Sequence, residues 1–188
     1  CALPIFSYLD KRVTDRSQQE ESIIEDLENS RGNLLGFTRT MLLKRLSSSG
    51  AVFIASLQRH LLRNYIYLAA IRLKSNFPVG SFDDSQVFTD DDDWLDFAIG
   101  NPGDRVPNDL AEWEELGEDA LVELINRDPA NIKWIRTGLF LNSLKSKIEH
   151  DNEIISSLLK QFGNWDQQND TKIDALQALL EKTHPDEK

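Results

Sequence analysis

The chain has 188 residues, 40% of them apolar and 28% charged, with a formal net charge of −11. That length suits one domain or one elongated helical module, and the balance of core and surface favours a helical bundle over a compact α/β sphere. It has no run of the roughly 18 apolar residues a membrane span needs. Lys11 and Arg12 follow the short apolar start, where a secretory signal has its charges first.

Cys1 is the only cysteine, which excludes an internal disulfide and points to a reducing, cytoplasmic setting. A start at Cys1 instead of Met reads as a segment excised from a longer protein. The charge is unevenly spread. No Asp or Glu occurs between Arg31 and Phe82, which hold Arg31, Arg39, Lys44, Arg45, Arg59, Arg63, Arg72 and Lys74. This third of the chain is basic and the rest strongly acidic, an asymmetry that informs more than the total.

In chain order, the opening from Ala2 to Val13 reads as a short packed segment. Ser17 and Glu20 match a capping box, which predicts a helix over about 17–29 with Ile23, Ile24 and Leu27 on its apolar face. Arg31 to Asn33 reads as a break. A second helix is expected from Leu34 to Ser48, carrying Leu35, Met41, Leu42 and Leu46. Ser47-Ser48-Ser49-Gly50 interrupts, with Gly50 as the stop. Residues 51–74 contain no Gly or Pro and predict a long buried helix.

Phe77 to Gly100 holds Pro78, Gly80 and the acidic run Asp90 to Asp93, and reads as an irregular insertion. Asn101 to Pro107 adds a turn-rich patch. Asn108 is expected to cap an acidic helix that Gly117 splits. Asp128-Pro129 signals another helix start. Beyond it Trp134, Leu141, Ile148, Ile155 and Phe162 recur every seven residues, with Thr137, Leu144, Asp151 and Leu158 at the companion positions. This predicts one helix over about 130–162, some 50 Å long at 1.5 Å per residue, running antiparallel to the basic helix at 51–74. A polar linker and a last helix over 170–182 follow, with Ile173, Leu176, Leu179 and Leu180 on one face. No segment reads as a strand.

The expected fold is therefore all-α, an elongated bundle with a long antiparallel helix pair and an irregular acidic insertion. Its parts are 1–76, N-terminal helices with a basic hairpin; 77–107, the insertion; 108–163, acidic helices and the long heptad-like helix; and 164–188, a linker and closing helix.

Catalytic constellations are not found in the sequence. It lacks a GxxxxGK[ST] phosphate loop and a GxSxG frame around Ser47 to Ser49. The run Asp90 to Asp93 does not fit a calcium loop, because Leu95 stands where the sixth-position glycine belongs. It reads as a solvated acidic loop, with a metal site or contact with a basic surface as the alternatives. His60, His150 and His184 have no second ligand four residues away, so no metal site is assigned. Arg39, Lys44, Arg45, Arg59 and Arg63 are the candidates for contact with a nucleic-acid backbone, since phosphates need only positioned point charges and guanidinium forks. The alternatives are pairing with the chain's own acidic part and docking onto a neighbouring domain.

The run Arg39-Thr40-Met41-Leu42-Leu43-Lys44-Arg45-Leu46-Ser47-Ser48-Ser49, followed by Ala51, Phe53, Leu57 and Arg59, resembles a segment between the two RecA-like lobes of bacterial Swi/Snf-type (RapA-like) superfamily 2 helicases. Ser47 stands where that family's run has glutamate. Asp170, Lys172, Leu176, Leu179 and Leu180 are similar to the helix leading into the second lobe. The two motifs cover about 30 residues, and 77–128 has no counterpart.

The resemblance implies a non-catalytic helical insertion that couples the flanking ATPase lobes and contacts DNA or RNA. ATP and Mg would be bound by the parent protein, with Walker motifs upstream and an arginine-bearing motif downstream. A stand-alone helical scaffold that binds proteins through its acidic half is the alternative, and an isolated enzyme has no support in the residues.

Overall fold

The computed structural model describes residues 5–80, 107, 109–127 and 132–162, with the side chains at 5, 6, 27, 29–39, 41, 42, 48, 51 and 80 left out of the description. The expectations for the acidic run at 90–93, for Asp128-Pro129 and for the closing helix at 170–182 lie outside the described residues.

Helix α1 runs Gln18–Ser48, and its start follows from local chemistry. The Glu20 backbone N–H donates to Ser17 Oγ at 3.2 Å, and the Ser17 N–H donates to the Glu20 carboxylate at 2.8 Å. This is the capping box expected from the sequence. The expected break at Arg31 to Asn33 is absent, and one 31-residue helix replaces two. A glycine inside a helix costs only about 1 kcal/mol, which anchoring at both ends can offset. The N-terminal end is anchored by the capping box and buried Ile23 and Ile24, and the C-terminal end by packing on the next helix.

The turn comes at Ser49 alone, which is extended (φ −155°, ψ 128°). Its N–H donates to the Arg45 carbonyl at 2.9 Å and its carbonyl accepts from Phe53 at 3.2 Å, so it serves both helices. Gly50 is not a stop. It opens helix α2, Gly50–Leu73, whose extent matches the apolar run. Lys74 ends α2 in the left-handed conformation (φ 52°), and its N–H and that of Ser75 both reach the Ala70 carbonyl.

Two segments correct the all-α expectation. Strand β1, Asn76–Gly80, pairs antiparallel with strand β2, Ile132–Arg136, in the register Asn76 to Arg136 and Gly80 to Ile132. The rest of the described structure is mostly helical. The long helix predicted over 130–162 is thus wrong in its first third. Ile132 to Arg136 is rich in β-branched and aromatic residues, and β1 supplies its hydrogen bonds. A 3-10 turn at Thr137–Leu139 follows, and Phe140 then bridges to Leu9 in extended conformation. Only Ser143–Phe162 is helical. Pro78 lies in β1, where a two-stranded ribbon leaves every strand an edge and tolerates a missing N–H.

Helix α3 is Leu110–Arg127 and helix α4 is Ser143–Phe162. Asp109 caps α3, its carboxylate accepting from the Glu112 N–H at 2.9 Å, while Asn108, the expected cap, is not described. Gly117 does not split α3. A Cβ there would stand 2.6 Å from Tyr65 Cβ and 2.8 Å from the Tyr65 carbonyl carbon, so the glycine is what lets α3 cross α2 closely. The Trp113 ring stacks on Tyr65 beside this crossing, with centroids 6.2 Å apart.

α2 is the centre of the core. Leu61, Leu62, Ile66 and Ala70 are inaccessible, and α3, α4 and β1 all pack on α2. Phe77 on β1 makes edge contacts with Tyr67 and Phe140, 5.1 and 5.0 Å between centroids. Asn64 Nδ2 donates to Asn152 Oδ1 at 2.8 Å, a buried pair joining α2 to α4. The register of the β ribbon sets Arg136 opposite Asn76, just past the end of α2, and α4, which begins seven residues later, packs on α2. The N-terminal segment packs as anticipated, with the Leu141 N–H donating to the Tyr8 carbonyl at 2.7 Å and the Asp10 N–H to that of Leu139 at 2.8 Å.

Candidate interaction surface

The basic third of the chain folds into the α1–α2 hairpin, which gathers the candidate cations on one element pair. Lys44 is exposed near the end of α1. Arg45 is half-buried and reaches across the turn, where its Nη1 donates to Ser56 Oγ at 2.7 Å. Arg59 and Arg63 lie one turn apart on α2, both half-buried, with Arg59 Nε shut off from solvent. The Arg39 side chain lies outside the described ones.

His60 shares this face, and its Nδ1 accepts from Arg63 Nη2 at 2.5 Å. Burial, then the Arg63 charge, holds the imidazole well below its usual range, so it is neutral and suited to accept that bond. Arg45 and Arg63 therefore use guanidinium donors within the hairpin, and only Lys44 of the described four is fully on the surface.

Part of the basic charge pairs with the acidic part of the chain. Arg72 at the end of α2 forms ion pairs with Glu118 and, at 3.8 Å, with Glu114 of α3. All three side chains are 42% or more exposed, so these pairs add little stability. The better-made pair was not anticipated from the sequence. Arg136 on β2 donates through Nε to Glu20 at 2.5 Å and through Nη2 at 2.9 Å, and reaches the Asp15 carbonyl at 2.6 Å. Glu20 is buried, and the Arg136 guanidinium holds its carboxyl down to about 2. Lys133 pairs with Asp26 at 3.0 Å beside it. Nothing local signals these contacts, because more than a hundred residues separate the partners.

Sequence periodicity also misplaced some apolar residues. Leu46, one of the apolar residues recurring at helical spacing, is 49% exposed, with Leu43 at 64% and Val52 at 50%. All three sit at the hairpin turn, around Lys44 and Arg45. The adjacent pair Leu42-Leu43 was the available signal, since neighbouring positions on a helix cannot both face one partner. α3 presents the opposite character. Its exposed side carries Glu115, Asp119, Val122 and Ile125, with the two apolar residues each 46% exposed.

Among the described residues, no cluster of three or more His, Cys, Asp or Glu could hold a metal ion, and no helix is long and apolar enough to cross a membrane. A shallow groove between α1 and β2 is lined by Gln18, Gln19, Ser22, Ile23 and Lys133, whose ammonium is engaged with Asp26. The chain matches no protein-family model, no curated protein and no solved structure.

Proposed function

We propose that this chain is a non-catalytic helical module of an ATP-dependent nucleic-acid translocase or helicase, and that it works by contact through the α1–α2 hairpin. The observation that carries this reading is the composition of the hairpin turn. Leu43 and Leu46, within the run that resembles the interlobe segment of the helicases, and Val52 just beyond it lie exposed around Lys44 and half-buried Arg45. Exposed apolar side chains flanked by cations suit docking onto another protein body. Cations further along the same hairpin suit contact with a phosphate backbone, without any base-reading geometry. In the parent protein the partners would be the flanking ATPase lobes, and ATP and Mg would be bound there.

The test is binding to a fluorescent mixed-sequence DNA duplex as a function of salt. Lys44→Ala and Arg59→Ala should each lower the slope of log K against log salt by about 0.9, the value for one lost phosphate contact. No binding at low salt, or an unchanged slope in both variants, would remove the nucleic-acid part. A parent protein without DNA- or RNA-stimulated ATP hydrolysis would remove the rest.

A second reading, a protein-interaction scaffold, is favoured by the acidic side of α3 with Val122 and Ile125 exposed. It predicts partner binding that Val122→Ser and Ile125→Ser abolish and that Lys44→Ala leaves unchanged.

A further inference from the structure

Two contacts set the direction of α4 on α2. The Phe140 ring lies 5.0 Å from that of Phe77, just past the end of α2, and Ser143 follows Phe140 by about 10 Å of chain at most. Asn152 stands nine residues into α4, and its hydrogen-bond partner Asn64 stands nine residues before the end of α2. The start of α4 is therefore level with the end of α2, and the two helices are antiparallel. A parallel α4 would begin beside Ala55, about 27 Å from the end of α2 at 1.5 Å per residue.

This register sets Ser156, one turn beyond Asn152, level with His60, one turn before Asn64. The contact between the helices is thus polar at two successive turns, and it is poorly satisfied there. Asn152 Nδ2 and Ser156 Oγ are shut off from solvent and neither has a hydrogen-bond partner. His60 Nδ1 is already taken by Arg63 Nη2. A buried donor without a partner weakens an interface, because it has given up water and gained no bond in return. The apolar anchors of α4 are Leu144, Ile148 and Ile155, two of them in its first half. From Ser156 to Phe162 no residue is buried.

We propose that α4 from Asn152 to Phe162 is a flap that opens from α2 while the rest of the fold stays closed, and that opening uncovers the His60–Arg63 turn of α2. The hinge end is held by Leu144 and Ile148 and by the Leu141 N–H on the Tyr8 carbonyl. Opening returns the Asn152 amide and the Ser156 hydroxyl to water, which offsets the exposure of Ile155. Local opening of this kind lies below global unfolding in free energy. The flap is independent of the nucleic-acid reading.

Hydrogen exchange and diethyl pyrocarbonate, applied to the full chain, test it. Amides at 156–162 should exchange at least about tenfold faster than those at 61–70, and the His60 ring should be modified in step with them, with exposed His150 as the reference. Ser156→Ala, and separately the double change Asn64→Leu with Asn152→Leu, remove unpaired donors and should slow both processes by about threefold or more. Ile155→Ala should speed both while α2 keeps its protection. Ser157→Ala, at an exposed neighbouring position, raises helix propensity equally and should leave His60 unchanged. Equal protection along α4 and α2 would overturn the proposal, as would His60 modified only on global unfolding. Rates that ignore Ser156→Ala and the double change, or that respond as much to Ser157→Ala, would reduce the motion to fraying of a helix end and overturn it equally.

Discussion

Replacing Gly117 by alanine sets two physical effects against each other, and the close crossing of α2 and α3 decides between them. Helix propensity alone favours the change by about 1 kcal/mol. The added Cβ, however, would meet Tyr65 Cβ at 2.6 Å and the Tyr65 backbone carbon at 2.8 Å, against ordinary contact from 3.4 Å. The nearest atoms belong to the backbone and to a Cβ, so no rotamer change relieves them.

Relief requires α3 to move off α2 by about 0.8 Å, and a gap of about 0.5–1 Å forfeits a quarter to a half of each dispersion contact it opens. Trp113 on Tyr65, and the inaccessible Leu121 and Leu124, depend on that closeness. Overpacking of this kind costs about 1–3 kcal/mol. The expected net result of Gly117→Ala is destabilisation by up to about 2 kcal/mol, or a drop in Tm of up to roughly 8 °C for a chain of this size. Gly138→Ala is the control, because nothing lies within 4 Å of its added Cβ. It should be neutral or stabilising by up to about 1 kcal/mol. Urea unfolding with a common m value would measure both. A Gly117→Ala variant more stable than the wild type would refute the close-crossing argument.

Acid unfolding tests the Glu20–Arg136 pair. Glu20 titrates at about 2 in the folded chain against an ordinary 4.5, so its contribution is complete above about pH 4.5 and is lost as pH falls toward 2. Glu20→Gln should make that limb of the Tm-against-pH curve shallower, and an unchanged limb would show the pair to be weak. The buried Asn64–Asn152 bond should behave as a coupled unit. Asn64→Ala strands a buried acceptor and should cost about 1–3 kcal/mol, whereas replacing both asparagines by leucine should cost less than either single change. A double-mutant cycle gives the coupling, and additive losses would contradict it.

Where the chain's instructions are local, the sequence was sufficient. Ser17 and Glu20 announce the start of α1, and the uninterrupted apolar run from 51 to 74 delimits α2, because capping and helical periodicity act within a few residues. The basic hairpin was legible for the same reason, its charges lying close together along the chain.

What tertiary structure decided is of another kind. Gly117 and the Arg31-Gly32-Asn33 stretch read as breaks on propensity, yet both lie inside continuous helices. At Gly117 a penalty of about 1 kcal/mol is smaller than what packing across the α2–α3 crossing supplies, and at 31–33 it is offset by the anchored ends of α1. Ile132 to Arg136 continued a sevenfold apolar repeat and became a strand, since its hydrogen-bonding partner, Asn76 to Gly80, lies more than fifty residues earlier. The exposure of Leu43, Leu46 and Val52, and the burial of Glu20 beside Arg136, likewise depend on which surfaces meet. Periodicity states that a helix has an apolar face. Only the folded chain states whether anything covers it.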